Sequence, residues 1–345
     1  MADNKKNKGL RIPQTRGSYQ VRGKVSGVKK EKFFMEKKTK TDKQWRGVSF
    51  GVEFAPNTTM FVGVNGMERD EVNFYKRSDK KGEKGTTKKV PWRDRFNFKE
   101  EGFSLLGVNV GVTKTRNEKG DEVNKVEHLV EYDACKTIAD NLKDSSSVFI
   151  RGTIEFDSYK DKHTTKFTPN QISLCKDVDF DAEDFQPMAQ FTQDIVFMGI
   201  TPSEDKTKAT IAAKIVNFNN IQDAEFVTYD MGMAQKFKKN LKPYTKINVW
   251  GRVEVQTNKE EVTEFGGWGE ENKMTKVNNP TIRTLVITGA DPETNDTTTY
   301  AEAILDEAIA KMNANKKAED DFGSASDGWG SAPFDTDDDD DAGWD

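Results

Sequence analysis

Histidine and cysteine are scarce in this 345-residue sequence, with two of each. Cys135 and Cys175 are too few for a disulfide framework and point to a reducing compartment. With His128 and His163 the only imidazoles, a general base would have to be a carboxylate, and no pair of carboxylates stands out. The same four residues show no C-x₂₋₄-C or H-x₃₋₅-H spacing, so no zinc site is expected. Also missing are the G-x-x-x-x-G-K-[ST] phosphate loop, the G-x-S-x-G nucleophile turn and the H-E-x-x-H metalloprotease motif. The acidic clusters fall in unpatterned segments, where carboxylates cannot be held in fixed geometry around Mg²⁺. The sequence therefore reads as a non-enzyme without cofactor or metal. No stretch approaches the roughly 20 apolar residues of a membrane span. The basic start MADNKKNKG lacks the apolar run of a signal peptide. A cytoplasmic protein is expected, with no membrane partner.

What is present is charge, at 32% of residues, and it is unevenly placed. Residues 1–100 hold 26 lysines and arginines against 12 acidic residues, a net of +14. From Glu319 to Asp345 there are 11 acidic residues and no basic ones. A basic face for a polyanion and a separate acidic segment are the natural reading.

Residues 1–16 are polar and basic and read as a disordered arm. From Gly17 the pattern turns strand-like, with apolar alternation in 19–28, 45–54, 59–67, 71–77, 103–114 and 124–132. The glycine- and lysine-rich stretch from Lys76 to Glu101 reads as a mobile loop. DACKTIADNLK (133–143) predicts a helix, with Ala134, Ile138 and Leu142 on one face and Asp133 as N-cap. Strands are expected at 147–156 and 166–174.

This unit recurs. Asn141-Leu142-Lys143, four residues, then VFIRGTIEF aligns without a gap on Asn240-Leu241-Lys242, four residues, then INVWGRVEV. The shift is 99 residues, and it carries Gly152 onto Gly251 and Glu155 onto Glu254. The segment 230–242 takes the place of the first helix. Residues 191–200, 208–218 and 280–289 supply further strands. The expectation is a mainly β protein with two tandem OB-like barrels at 17–178 and 188–292, joined by an acidic linker at 179–187. A β-sandwich with one helical excursion is the alternative. A helix over 293–317 follows, with Thr299 and Glu302 as a capping box and Ile304, Leu305, Ala308, Ile309 and Met312 as a stripe that packs on the barrel. Residues 318–345 are low in complexity and acidic, and disorder is expected there.

In the first half, aromatics are interleaved with cations. Candidate stacking residues are Phe33, Trp45, Tyr75, Trp92 and Phe96. Candidate phosphate contacts are Arg46, Lys76, Arg77, Lys88, Lys89, Arg93 and Arg95. Single-stranded nucleic acid offers a face for each ring, worth about 1–3 kcal/mol per base, and phosphates for the cations. In the second half Trp268 lies among glycines in FGGWGEENKMTK, where it either stacks on a base or caps the barrel.

The acidic end FDTDDDDDAGWD, together with this charge layout, resembles the single-stranded DNA-binding proteins of bacteria and especially of their bacteriophages. The resemblance implies a non-catalytic protein of DNA replication, recombination or repair. It also implies an acidic segment that recruits partner proteins and competes with DNA for the binding groove. The residues that would do this are Trp329, Phe334, Asp337, Asp338, Asp339, Asp340, Asp341, Trp344 and Asp345. The chain departs from the bacterial form in its greater length, its two barrels and its Gly343-Trp344-Asp345 ending, so a phage-encoded protein is expected, acting in the host cytoplasm. An RNA-binding OB protein and a protein-interaction scaffold or virion component are the competing readings. Homo-oligomerisation is left open by the sequence.

Overall fold

Strands dominate because apolar and polar residues alternate, and each alternation buries one face. The computed structural model describes residues 9–80, 83–159, 162–257 and 281–321. In chain order the first half runs β1 (Gly17–Ser26), β2 (Phe34–Lys38), β3 (Gln44–Ala55), β4 (Thr58–Met67), β5 (Glu71–Lys76), β6 (Thr86–Pro91), β7 (Phe103–Leu105), β8 (Val108–Arg116) and β9 (Glu122–Leu129). Helix α1 (Glu131–Asn141), β10 (Ser147–Tyr159) and β11 (Lys162–Leu174) complete it. The second half has β12 (Met188–Pro202), β13 (Ala209–Val216), β14 (Ile221–Thr228), α2 (Met231–Asn240), β15 (Thr245–Thr257), β16 (Thr281–Asp296) and α3 (Glu302–Asp321).

The second barrel closes in the order β12–β13–β14–β16–β15–β12, with β14 parallel to β16 at Val227 and Val286 and the other pairs antiparallel. Helix α2 sits between its third and fourth strands. That is the OB arrangement. The first barrel repeats it with β1, β3 and β4, then β10 and β11 after α1. Its closure runs through β8, which lies parallel to β11 at Gln171–Ser173. Between β4 and β8 an insertion folds as a separate sheet, β6–β5–β7, over Val72, Phe74, Val90, Val130 and Tyr132.

The two barrels are fused edge to edge. β1 pairs antiparallel with β12, placing Tyr19 beside Phe191 and Gln20 beside Gln190. Tyr19 also faces Gly152 on β10, and Phe191 faces Gly251 on β15. The repeat read from the sequence is thus the outer pair of a four-strand row, Gly152–Tyr19–Phe191–Gly251. Both glycines stand at β-bulges, between Arg151 and Gly152 and between Trp250 and Gly251. A Cβ at Gly152 would lie 2.0 Å from the Thr168 carbonyl oxygen, and one at Gly251 1.8 Å from that of Val286. Backbone approach, rather than φ, requires glycine at both. Behind the row an aromatic seam joins the barrels, with ring centroids 5.0 Å apart for Tyr19–Phe167 and 6.0 Å for Phe156–Phe226 and Phe191–Phe226.

Several expectations are corrected. Residues 9–16 are ordered: Leu10 is buried, the Thr15 N–H donates to the Val216 carbonyl at 2.9 Å, and the Tyr300 hydroxyl donates to the Pro13 carbonyl at 2.9 Å. This arm and α3 share an apolar cluster with Val196, Val216 and Ile221 on the second barrel, while Ile304 turns outward. The capping box is not formed, because the Thr299 hydroxyl donates to Asp296 and Glu302 accepts from the Tyr244 hydroxyl. Helix α1 starts at Glu131 without a side-chain cap, and Asp133 sits in its first turn. The Lys76–Glu101 stretch holds β6 and a 3₁₀ turn at Trp92–Asp94, since Val90, Trp92 and Phe98 pack onto the insertion core despite their lysine-rich surroundings. The expected strand 103–114 breaks into β7 and β8. Apolar alternation does not find β14, because its buried positions include Gln222 and Thr228.

Gly251→Ala should cost roughly 2–4 kcal/mol in urea unfolding. Gly199→Ala, where an added Cβ meets nothing within 4 Å, should stay close to wild type in the same experiment.

Candidate nucleic-acid interface

Along β3 the even positions Val48, Phe50, Val52 and Phe54 fill the core, so the odd positions Trp45, Gly47, Ser49 and Gly51 face outward. Register sets them beside Met67, Asn65, Gly63 and Phe61 of β4. On the other side, Lys37 and Met35 of β2 lie beside Trp45 and Gly47. The outcome is a shelf with small residues at its centre and a ring at each end. The Trp45 ring lies over Gly47, where a Cβ would come within 2.5 Å of it, and the Lys37 ammonium sits 4.8 Å from the ring centroid. Phe61 is 37% exposed. Six residues of strand separate the two rings, roughly 20 Å. β3 and β4 are the second and third strands of the barrel, the face on which OB folds take oligonucleotides.

Arg46, next along the strand, points the other way and serves a different purpose. Its Nε donates to Glu36 at 2.8 Å and its guanidinium lies 4.0 Å from the Tyr132 ring centroid. Tyr132 meets Trp92 edge-on at 5.8 Å. Arg95 then stacks at 4.1 Å on Trp92 and 4.3 Å on Phe96. Asp133 clamps Arg95 from Nε at 2.7 Å and Nη2 at 3.1 Å, and the Trp92 carbonyl accepts from Nη1 at 2.8 Å. Cations and rings thus stack in a column that ties β3, the first turn of α1 and the insertion together. Burial raises the Tyr132 hydroxyl, with the Arg46 charge acting against it.

The other candidates spread over the insertion. Tyr75 is 36% exposed. Lys88 pairs with Glu100, Lys89 with Glu71 at 3.1 Å, and Lys76 reaches the Glu101 carbonyl at 3.4 Å. Arg77 and Arg93 are exposed, and Arg93 makes only a 3.6 Å contact to Asp94. Phe96 is 57% exposed. Phe33 is a correction: it is 6% exposed and packs edge-on to Phe50 at 6.4 Å, because the 3₁₀ turn Glu31–Phe33 drops its ring into the core. Trp268 and the acidic segment with Trp329, Phe334, Asp337–Asp341, Trp344 and Asp345 lie outside the described residues. Sequence reasoning misses Phe61 and Lys37. The readable signal is W-x-G-x-S-x-G, small residues on one face of a strand that begins with tryptophan.

The matching face of the second barrel differs. Its outward positions are Thr210, Ala212 and Lys214 on β13 with Asp223, Glu225 and Val227 on β14, and Lys214 is paired to Asp223 at 2.6 Å. These six positions offer no ring and no free cation. Burial pushes the Cys135 thiol up to about 12 and raises that of Cys175, which makes both poor nucleophiles at neutral pH. Among the described residues no cluster of three histidine, cysteine or acidic side chains could hold a metal, and no helix is long and apolar enough to cross a membrane.

The column and the shelf predict different losses. Arg95 and Asp133 are only 13% and 12% exposed, so Arg95→Ala leaves a carboxylate stranded and should cost about 3 kcal/mol in urea unfolding. Arg93→Ala, at a side chain 87% exposed, should change stability by less than about 0.5 kcal/mol.

Two crystal structures of the single-stranded DNA-binding protein from Thermus aquaticus align with this chain. A deletion mutant aligns with a TM-score of 0.37 at 9% identity over 81% of this chain and 94% of its own. The wild-type protein aligns with a TM-score of 0.36 at 9% identity over 81% and 93%. No curated protein matches. The family model described as YorF matches residues 77–325, well over half of the sequence. The chain belongs to the YorF family.

Proposed function

We propose that this protein binds single-stranded DNA without catalysis, using the β3–β4 shelf as its base-stacking surface. One observation carries the reading: the half-buried Trp45 ring lies against Gly47 with the Lys37 ammonium over it, and Phe61 is exposed at the far end of the same face. Rings at both ends of a face floored by small residues leave room between them, and stacked bases would cover the part of each ring that stays in solvent. Lys37 and the exposed Arg77 and Arg93 are suited to phosphates, whose neutralisation releases counterions and makes affinity fall with salt. Tyr75 and Phe96 extend the aromatic surface onto the insertion. Trp92 and Arg95 hold the insertion in place instead of reading bases.

The finer reading is a phage protein of DNA replication, recombination or repair, acting in the host cytoplasm. Residues 318–345 would recruit partner proteins through Trp329, Phe334 and Trp344 set among Asp337–Asp341 and Asp345. Tryptophan carries disproportionate weight at interfaces, which suits such a segment to anchoring. The aspartates imitate a phosphate run and would compete for the basic first barrel.

Trp45→Ala with Phe61→Ala should weaken binding of single-stranded oligonucleotides about 10- to 100-fold by anisotropy, with the salt slope nearly kept. Equal affinity for duplex and single strand in the wild type would sink the proposal. Matched RNA oligomers binding more tightly than DNA would transfer it to RNA. A chain ending at Asp321 should bind DNA more tightly than the full chain at low salt, and the difference should shrink as salt screens it. Equal affinity at low salt would rule out the competition.

A further inference from the structure

We propose that a second single-strand contact area lies on the outer face of the sheet that joins the barrels, centred on Trp250. It rests on the single-strand reading of the β3–β4 shelf and adds a surface which that shelf does not include. Trp250 is 44% exposed on β15 and lies over Gly289 of β16, its strand partner. A Cβ at Gly289 would come within 2.4 Å of the indole Nε1 and Cε2. Trp45 over Gly47 makes the same ring-on-glycine contact, although it is half-buried beneath Lys37 whereas Trp250 is exposed. Two such platforms on one chain, in different barrels, ask for the same kind of ligand.

On one side of Trp250 the sheet face is cationic. Strand register sets Arg151, Gln20, Gln190 and Arg252 in one line across β10, β1, β12 and β15, with the Gln20 amide donating to the Gln190 side-chain oxygen at 2.9 Å. That line spans roughly 14 Å at ordinary strand spacing. The next line carries Ser18, Thr192 and Trp250. Arg151 is exposed and Arg22 half-buried, and neither makes an ion pair among the described residues. Arg252 is tied to Glu254 at 2.8 Å, which also accepts from the Tyr229 hydroxyl at 3.1 Å. Carboxylates bound the area on the other side: Asp291 beside Asn248 and Glu155 on β10 make no ion pair among the described residues, and Asp194 is partnered by Lys246 at 3.7 Å. Unpaired guanidinium groups on the same face as an open ring, about three strands away, fit a phosphate–base chain that crosses it. The 99-residue repeat makes the division of labour plain, since the position that is Arg151 in the first barrel is Trp250 in the second.

This area is separate from the shelf. The linker crosses between them, with Asp177 accepting from the Ser147 hydroxyl at 2.7 Å and Phe180 lying 5.4 Å from the Lys24 ammonium. A strand must therefore be long enough to pass the linker before it touches both. Engaging two areas on one strand raises affinity through effective concentration.

The test compares oligonucleotides of about 10 and about 40 nucleotides, one within and one beyond the reach of a single OB fold. Trp250→Ala with Arg151→Ala in the full chain should bind the short oligonucleotide within about twofold of wild type and the long one about tenfold more weakly. Arg151→Glu alone, which leaves the ring in place, should show the same selective loss at low salt. Wild-type affinity for the long oligonucleotide in both variants would overturn the proposal while leaving the shelf intact. A change in the mass of the free protein, with DNA affinity unaltered, would overturn it in favour of a contact between copies. Failure of the wild type to bind either oligonucleotide would remove the single-strand reading itself.

Discussion

The antiparallel pairing of β1 with β12 is the contact on which the rest of the molecule depends. It joins two five-stranded units through their first strands, and it brings Tyr19, Phe156 and Phe167 of one unit against Phe191 and Phe226 of the other. Burying a ring of this size contributes about 1.5–3 kcal/mol. An unpaired β1 would present both an open strand edge and an aromatic surface, a template for aggregation. The seam also has a cost: the Tyr19 hydroxyl is buried with no hydrogen-bond partner among the described residues, and burial pushes it well above the usual tyrosine range, with Glu155 adding to the effect. The N-terminal arm strengthens the join from the other side. It lies on the second barrel, bonded to Val216, Tyr300 and Lys311, before the chain enters the first barrel at Gly17.

Rigidity then passes outward from this seam to the shelf. β1 pairs with β3 at Lys24–Ser26, and β3 carries Trp45 on one face and Arg46 on the other. The two neighbours divide the work by strand geometry alone, since successive side chains point to opposite sides. Arg46 begins the stacked column that fixes the insertion, and Trp45 stays half-buried on the shelf beneath Lys37. An insertion of this length would otherwise hang from two chain crossings; the Arg95–Asp133 clamp and the Trp92–Tyr132 contact dock it onto the helix.

Much of this architecture is legible in the amino-acid sequence. The repeat at Gly152 and Gly251 is visible because backbone crowding at a bulge tolerates one residue type, and that demand survives when side chains drift. Helix α2 is visible through the same repeat, and in the structure Asp230 caps it, accepting from the Met233 N–H at 2.9 Å. The N-terminal arm is not visible, because its order comes from backbone N–H and C=O groups, the Thr15 hydroxyl and Leu10 meeting a distant surface. Lys-rich composition hides β6 in the same way. At the candidate site, Trp45 stands out by its neighbours, whereas Phe33 and Phe61 exchange places: adjacency to lysines says nothing about which face of a turn or strand a ring takes. Only the register of β3 against β4 separates a core phenylalanine from a surface one.

Two copies of one fold have been driven apart by their outer residues, and this follows from where stability resides. The bulge glycines, the seam and the inward positions are shared by both barrels because both must close. The outward positions of the second and third strands carry no such duty. In the first barrel they hold Trp45, Phe61 and small residues; in the second they hold Asp223, Glu225 and a Lys214 already neutralised. A polyanion is repelled by the second set, so the second barrel cannot duplicate the first shelf. Its exposed Trp250 stands instead on β15, on the sheet face that also carries the unpaired arginines of the first barrel. A surface made there depends on both halves being present and on their fixed relation. The fusion through β1 and β12 is thus more than a stabilising contact, for it creates a face to which both barrels contribute side chains.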